Sequence, residues 1–239
     1  MFIENLSMDE FRESVERGRT LVIPYGTVEA HGVHLPLGTD TMIVMAVLEE
    51  VAKRLDIMVA PPLNYGVCTS TSMHSGTIGI TPSTLRRLTT DIVRHAYEQG
   101  VREFILLSGH GGGLHLSAMR EASEELVREL EDVKIAALTL YEILPEETRA
   151  IIETPADSHA GELETSLILY LSEHLVKGGA KEEYPKLPKP IVVRNKPRYW
   201  RGAVWGNPEK ATKEKGQKAF RVMVSSVEEF IKRFQAFTE

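Results

Sequence analysis

Short apolar segments alternate with amphipathic stretches of about 15 residues along most of this chain. The pattern predicts strands over residues 20–25, 57–60, 103–107 and 133–140, each followed by a helix. Strands that are separated by helices need crossover connections, which produce a mainly parallel sheet covered on both faces. We therefore expect an α/β fold, a three-layer α/β/α sandwich with a mainly parallel sheet, in a single domain spanning residues 1–239.

Local signals place the predicted helices. A capping box at Ser7 and a glycine at Gly18 bound the first helix. Further helices are predicted over residues 41–55, 81–100, 114–130, 159–176 and 209–237, and Gly216 could interrupt the last of them. Residues 184–208 contain five prolines and both tryptophans. We interpret them as an ordered arm that packs on the core or on a neighbouring subunit, the alternative being a flexible loop.

The composition limits the classes of function. The net charge of −6 argues against a general nucleic-acid or anionic-membrane surface. Cys68 is the only cysteine, so an intramolecular disulfide is impossible and a reducing compartment is expected. Neither a signal-peptide pattern nor an apolar run of membrane-spanning length is found. We therefore expect a cytoplasmic protein whose partner is a small-molecule substrate, and neither a nucleic acid nor a membrane.

Glu29, His31 and Asp40 lie in one loop directly after the first predicted strand. Carboxylates and neutral imidazoles together suit zinc, manganese or iron. Glu29 and His31 are two residues apart, so in an extended segment both side chains point to the same side. The glycines Gly32 and Gly38 allow the chain to turn back so that Asp40 meets them. The loop therefore predicts a metal site.

Two more histidines follow predicted strands, at the sheet edge where α/β folds bind ligands. His110 lies in a glycine-rich loop after the third strand, and His74 follows the second strand, where a contact with substrate is expected. Gly111 would leave space beside His110 and offer its N–H to a developing oxyanion. The rival interpretation is a phosphate-binding loop, but Leu114 stands where the dinucleotide fingerprint needs glycine.

A third cluster lies at the start of the helix predicted over residues 159–176. His159 can serve there as a general acid or base. Glu162 and Glu164 are two residues apart, and helical side chains at that spacing point about 200° apart. Only one of the two is therefore expected to face the site as a metal ligand or as a supporting carboxylate.

These three clusters resemble the creatininase family of metal-dependent amidohydrolases. Residues 26–40 match the family pattern G-x-x-E-x-H-G-x-H-L-P-L-x-T-D, and residues 159–166 match H-A-G-E-x-E-T-S in full. Residues 108–113 match N-G-H-G-G-N, with serine for the first asparagine and glycine for the last. The resemblance implies a dinuclear site in which Asp40 bridges two metals, with Glu29, His31 and His110 as further ligands.

The chain departs from the creatinine-cleaving members at two places. Those members carry a bulky residue and then a ligating glutamate where this chain has Gly111 and Gly112, so we predict Glu162 as the fifth ligand. They also carry a tryptophan where this chain has Pro155 and Ala156. Both differences argue against creatinine as the substrate.

Together, the residues and the resemblance predict a metal-dependent hydrolase of a non-peptide C–N bond in an amide, cyclic amide or formamide. Two divalent ions of zinc, manganese or iron would activate water, and His159 would protonate the departing nitrogen. His74 and Gly111 would contact the substrate.

Relatives with the same glycines include formamide deformylases that act on a formylamino-pyrimidine ribonucleotide in flavin and deazaflavin synthesis, and mycofactocin-type peptidases. A nucleotide-binding module without catalysis is the non-enzymatic alternative. The resemblance also implies a homo-oligomer, a hexamer.

Overall fold

The computed structural model describes residues 1–238, apart from the side chains of residues 147 and 149. Its strands are β1 (Leu21–Tyr25), β2 (Met58–Val59), β3 (Glu103–Ser108) and β4 (Lys134–Thr139). They form a parallel sheet in the order β2–β1–β3–β4. The predicted parallel sheet is therefore confirmed.

Helices cover both faces of this sheet. They are α1 (Met8–Glu16), α2 (Thr39–Val51), α3 (Pro82–Glu98), α4 (Gly113–Glu129), α5 (Glu147–Ile151), α6 (Glu162–Ser172) and α7 (Lys213–Ala236). Alternate strand residues belong to opposite layers, as the period of a strand requires. Val22 and Ile105 pack with α2, α6 and α7, whereas Ile23 and Phe104 pack with α3 and α4. This arrangement confirms the three-layer sandwich.

Helix α6 begins three residues later than the sequence pattern predicts. His159 lies outside it, because its backbone pairs with Trp205 in an antiparallel bridge. Ala160 then takes a positive φ of 48°, which interrupts the helical path before Glu162. This late start decides which glutamate of the third cluster faces the sheet.

Helix α7 runs without interruption through Gly216. A Cβ atom at this position would lie 1.8 Å from the carbonyl oxygen of Ser166 in α6. The glycine therefore permits the backbones of α6 and α7 to approach closely, and the predicted break does not occur. Among the described residues, none of the helices combines the length and apolar character that crossing a membrane requires.

Candidate metal centre and active site

The predicted clusters meet at the carboxyl ends of β1 and β3. Tyr25 and Ser108, the last residues of these strands, are paired in the sheet. The loops that follow carry three of the converging side chains, and the first turns of α2 and α6 supply two carboxylates. All five side chains are buried: Glu29, His31, Asp40, His110 and Glu164.

The first group of ligand atoms surrounds His110. Its Nδ1 lies 3.0 Å from Glu29 Oε2 and 3.1 Å from Asp40 Oδ2. On the other side of the ring, Nε2 donates to the carbonyl oxygen of Val67 at 3.2 Å. Since a neutral imidazole has a single N–H, Nδ1 then presents its lone pair to the two carboxylates. We call Glu29, Asp40 Oδ2 and His110 the first position.

The second group of ligand atoms surrounds His31 and is arranged in the same way. Its Nε2 lies 3.1 Å from Asp40 Oδ1 and 3.7 Å from Glu164 Oε2. Its Nδ1 lies 3.0 Å from the carbonyl oxygen of Glu29, to which it donates, so Nε2 is left as an acceptor. We call His31, Asp40 Oδ1 and Glu164 the second position.

The two positions fit a pair of divalent cations. In each of them, three acceptor atoms face one another, an arrangement that needs a proton or a cation between them. Glu29 Oε2 is buried and has no hydrogen-bond partner in the described part of the chain. Three carboxylates bring three negative charges against the four positive charges of two dications, and a hydroxide would balance the remainder. Imidazole nitrogen and carboxylate oxygen are the ligands that zinc, manganese and iron accept.

The electrostatics of the cluster favour positive charge. Burial by itself would lower the pKa of His31, but the adjacent Asp40 carboxylate outweighs burial and raises it to about 10. Burial would likewise raise the pKa of Glu29, but the contact with His110 outweighs it and lowers the pKa to about 2. Glu29 is therefore ionised at neutral pH, as a metal ligand must be.

Hydroxyl groups orient the carboxylates from outside. Thr71 donates to Glu29 Oε1, and Thr27 donates to Asp40 Oδ2. Tyr141 Oη donates to Glu164 Oε1 at 2.7 Å. Such outer contacts fix the direction in which a carboxylate presents its remaining lone pairs.

The prediction that Glu162 faces this cluster is wrong. Its carboxylate lies 2.5 Å from Lys215 Nζ and accepts a hydrogen bond from the backbone N–H of Thr154 at 2.8 Å. Because α6 begins at Glu162, its side chain and that of Glu164 point in nearly opposite directions. Glu164 is the glutamate that reaches His31.

His159 lies beside the second position. Its ring centroid is 4.2 Å from that of His31, and its Nε2 lies 2.9 Å from the carbonyl oxygen of Ala30, to which it donates. Burial lowers the pKa of His159, and the neighbouring His31 lowers it further. The ring is therefore neutral near pH 7, with Nδ1 as its proton acceptor.

The arm of residues 184–208 packs on the core of its own chain, next to His159. Trp200 is buried, and its ring centroid lies 5.3 Å from that of His159. His74 Nε2 donates to the carbonyl oxygen of Trp200 at 2.6 Å, and His74 Nδ1 lies 3.3 Å from the carbonyl oxygen of Thr71. His74 therefore anchors the arm, and its contact with a substrate stays a prediction.

The glycines after β3 give room to the cluster. A Cβ atom at Gly112 would lie 2.3 Å from His110 Nε2, and one at Gly109 would lie 2.2 Å from the carbonyl oxygen of Asp40. These close approaches explain the glycines without a phosphate. A Cβ atom at Gly111 would meet only the ring of Tyr141, at 3.6 Å. The proposed contact of Gly111 with substrate stays a prediction.

Sequence reasoning missed several side chains at the site. Thr71 and Cys68 belong to an irregular loop after β2, and no periodic pattern indicates where such a loop points. The ligand atoms of Cys68, Glu29 and His110 lie within 4.8 Å of one another. Tyr141 lies two residues after the end of β4, and this position at the same sheet edge was a signal that could have found it.

Comparisons with known proteins agree with this geometry. The chain is 32% identical to the mycofactocin precursor peptide peptidase of Mycobacterium ulcerans, over 86% of this chain and 81% of the relative. It is 25% identical to the creatinine amidohydrolase of Pseudomonas putida, over 97% of this chain and 96% of the relative. A crystal structure of creatinine amidohydrolase superposes with a TM-score of 0.89 at 26% identity, covering 99% of this chain and 98% of the other.

A family profile extends the likeness over nearly the whole chain. The profile described as Creatininase: Creatinine amidohydrolase matches residues 4–231. A structure described as creatininase Mn, 25% identical and covering 97% of both chains, superposes with a TM-score of 0.86. These findings decide against a non-catalytic nucleotide-binding module. The chain belongs to the creatininase family of metal-dependent amidohydrolases, enzymes that hydrolyse C–N bonds.

Proposed function

We propose that this protein hydrolyses an amide C–N bond with water activated by two divalent metal ions. Glu29, Asp40 and His110 would hold one ion, and His31, Asp40 and Glu164 the other. The observation that carries the proposal is the placement of Asp40, whose two oxygens face different imidazoles at 3.1 Å each. A carboxylate in this arrangement suits a bridge between two ions.

The ions would polarise the amide oxygen and acidify a water molecule, which is the chemistry that divalent metals supply in hydrolases. Zinc, manganese and iron all suit the nitrogen and oxygen ligands present. The chain contributes the two imidazole lone pairs, the ionised carboxylates and a buried setting in which charge interactions are strong.

His159 would move the proton. Because its Nε2–H is donated to Ala30, the neutral ring can accept a proton at Nδ1 from the attacking water. The same atom can then deliver that proton to the departing nitrogen, which is otherwise a poor leaving group. The expectation of a general acid is thereby refined, since His159 must act as a base first.

The substrate would be an amide other than creatinine. Gly111 and Gly112 replace the bulky residue and glutamate of the creatinine-cleaving members, and Pro155 and Ala156 stand where those have tryptophan. Among substrates with a non-peptide C–N bond, the candidates are a formamide and a cyclic amide. A peptide is the second candidate, because the relative at 32% identity is a precursor peptide peptidase.

Metal analysis and a substrate panel test the proposal together. Protein purified without chelator should contain between one and two equivalents of zinc, manganese or iron, and Asp40→Ala should lose both ions. The metal-loaded protein should then be assayed with creatinine, a formylamino-pyrimidine, a lactam and short peptides. Full metal content in Asp40→Ala would contradict the bridged site, and activity on peptides alone would select the second candidate.

We also propose that the protein acts as a homo-oligomer in the cytoplasm. Trp200 of the arm is buried in its own chain and is therefore not available to a neighbouring subunit. Ile191 and Val192 of the arm are instead 69% and 90% exposed, and exposed apolar side chains of this kind favour association. Light scattering at micromolar concentration should give a multiple of the chain mass, a hexamer by family resemblance. A monomer mass would contradict it.

A further inference from the structure

We propose that Cys68 is a fourth protein ligand at the first position, and that its sulfur makes this position selective for zinc over manganese. The inference rests on the proposed function, because it requires a metal ion at Glu29, Asp40 and His110. It concerns a side chain that the sequence patterns and the family motifs leave without a role.

The geometry brings the sulfur close to the other ligands. Cys68 is 5% exposed, and its Sγ lies within 4.8 Å of the ligand atoms of Glu29 and His110. In a tetrahedral zinc site, with Zn–S near 2.3 Å and Zn–N near 2.0 Å, neighbouring ligand atoms lie about 3.5 Å apart. The distances from the sulfur to these two ligand atoms therefore exceed those of a tetrahedral zinc site by at most about 1.3 Å.

The backbone holds Cys68 at this place. The preceding residue, Val67, accepts the hydrogen bond from His110 Nε2 and donates its N–H to His115 Nδ1 at 3.1 Å. The first contact fixes the loop against the histidine of the first position, and the second fixes it against the start of α4. The sulfur itself makes a weak contact with the carbonyl oxygen of Gly66 at 3.9 Å, and it also contacts the side chain of Thr27. The thiol is therefore available to a metal ion.

A second, independent observation points to a ligand in the same space. Glu29 Oε2 is buried and has no hydrogen-bond partner among the described residues, although Glu29 Oε1 is bonded to Thr71. A charged oxygen in such surroundings is costly unless a cation neutralises it. The oxygen and the sulfur therefore face one place that suits a metal ion.

The donor set predicts which metal the first position prefers. Thiolate is a soft ligand that favours zinc, whereas carboxylate and water suit manganese. When zinc binds, the thiol proton is released to solvent and a metal–sulfur bond forms. The first position would then offer four protein ligands. The second position has three protein ligands, so it would keep more room for water or substrate, beside His159.

Cobalt(II) substitution tests the ligand directly. Wild-type protein loaded with two equivalents of cobalt should show the near-ultraviolet absorption of sulfur-to-metal charge transfer. Cys68→Ser and Cys68→Ala should bind the same two equivalents without this absorption. Equilibrium dialysis against zinc and manganese together measures the preference for zinc over manganese. At one of the two positions, this preference should be at least tenfold lower in both variants than in the wild type.

The outcomes separate this inference from the proposed function. Two bound cobalt ions without charge-transfer absorption in the wild type would overturn the role of Cys68 and leave the dinuclear hydrolase intact. Failure of the wild type to bind cobalt, zinc or manganese would overturn both. An unchanged preference for zinc in both variants would overturn the claim of selectivity. The wild-type spectrum decides the ligand even where a variant fails to fold, which circular dichroism would reveal.

Discussion

At the scale of the residue, the two carboxylates nearest to His31 gain from the helices that carry them. Asp40 and Glu164 lie in the first turns of α2 and α6. The amino end of a helix carries a partial positive charge that stabilises an ionised carboxylate. The partial positive charge at each helix start therefore offsets part of the free-energy cost of burying these two carboxylates.

Exchanging each glutamate of the third cluster for glutamine should separate their roles. Glu164→Gln should lose one of the two metal equivalents, because a neutral amide is a poorer ligand than a carboxylate. Glu162→Gln is the matched control and should keep both, since its carboxylate contacts Lys215 instead. Elemental analysis after gel filtration gives the count. Loss of metal from Glu162→Gln together with full occupancy in Glu164→Gln would reverse the assignment.

His159→Asn should keep the metal ions and slow turnover by roughly 10²–10⁴-fold, the usual range for losing a general acid or base. The variant His174→Asn, at an exposed histidine, is the control and should retain full activity. Metal content must be measured in parallel, because the ligand atoms of His159, His31 and Glu29 lie within 4.8 Å of one another. Depletion of metal in His159→Asn would make this residue a ligand.

At the scale of the element, the start of α6 contains a pH-sensitive carboxyl group. Burial raises the pKa of Asp157 from 3.8 to about 6, although its oxygens accept the backbone N–H groups of Glu162 and Leu163 at 2.7 and 2.9 Å. Because the pKa is raised in the folded state, the protonated carboxyl group makes its full contribution to the stability of the fold below pH 3.8. This contribution is lost as the pH rises through about 6.

The melting temperature of Asp157→Asn should therefore increase relative to that of the wild type as the pH rises from about 4 to about 7, because the asparagine cannot ionise. Thermal denaturation of both proteins at a series of pH values measures the difference. The variant Asp91→Asn, at an exposed aspartate, is the control. A difference that stays constant over this range would contradict the account.

The contact between α6 and α7 depends on Gly216. In an exposed helix, replacing glycine by alanine stabilises by roughly 1 kcal/mol. Here Gly216→Ala should instead destabilise by about 1–3 kcal/mol, since the new Cβ atom would clash with the carbonyl oxygen of Ser166 and force the helices apart. Chemical denaturation measures the change. Gly179→Ala, where a Cβ atom meets nothing within 4 Å, should be near neutral.

Both helices also show what periodicity in a sequence can predict. The apolar character of α6 around its whole circumference and the apolar stripe of α7 were sufficient to predict these helices, because both are local properties of the sequence. They could not predict that Ala160 takes a positive φ, or that Gly216 faces a neighbouring backbone. Both features depend on a contact with a distant segment, Trp205 in one case and Ser166 in the other.

At the scale of the whole molecule, metal removal should weaken the fold. Three buried carboxylates converge at the site and repel one another without cations. A ligand that binds only the native state stabilises it by about 4 kcal/mol at 1,000 times its dissociation constant. Chelator should therefore lower the melting temperature by several degrees, whereas Asp40→Ala should show no response. An unchanged melting curve after demonstrated loss of metal would contradict this expectation.

The sequence predicted four of the five clustered side chains, because parallel strands bring their carboxyl ends to one edge whatever the loops do. Glu29, His31, Asp40 and His110 follow from this rule. Glu164 could not be distinguished from Glu162 until the first residue of α6 was known. Cys68 and Trp200 belong to irregular segments, whose paths are set by tertiary contacts alone.

The placement of the two positions has a consequence for the unfolded chain. Each position joins the first strand–helix unit to a different later segment, β3–α4 through His110 and α6 through Glu164. Metal ions held there would act as cross-links that close loops of about 80 and about 130 residues. By analogy with disulfides, each such closure would restrict the entropy of the unfolded ensemble by an amount worth about 5 kcal/mol. The same two ions would then both activate water for hydrolysis and stabilise the folded chain.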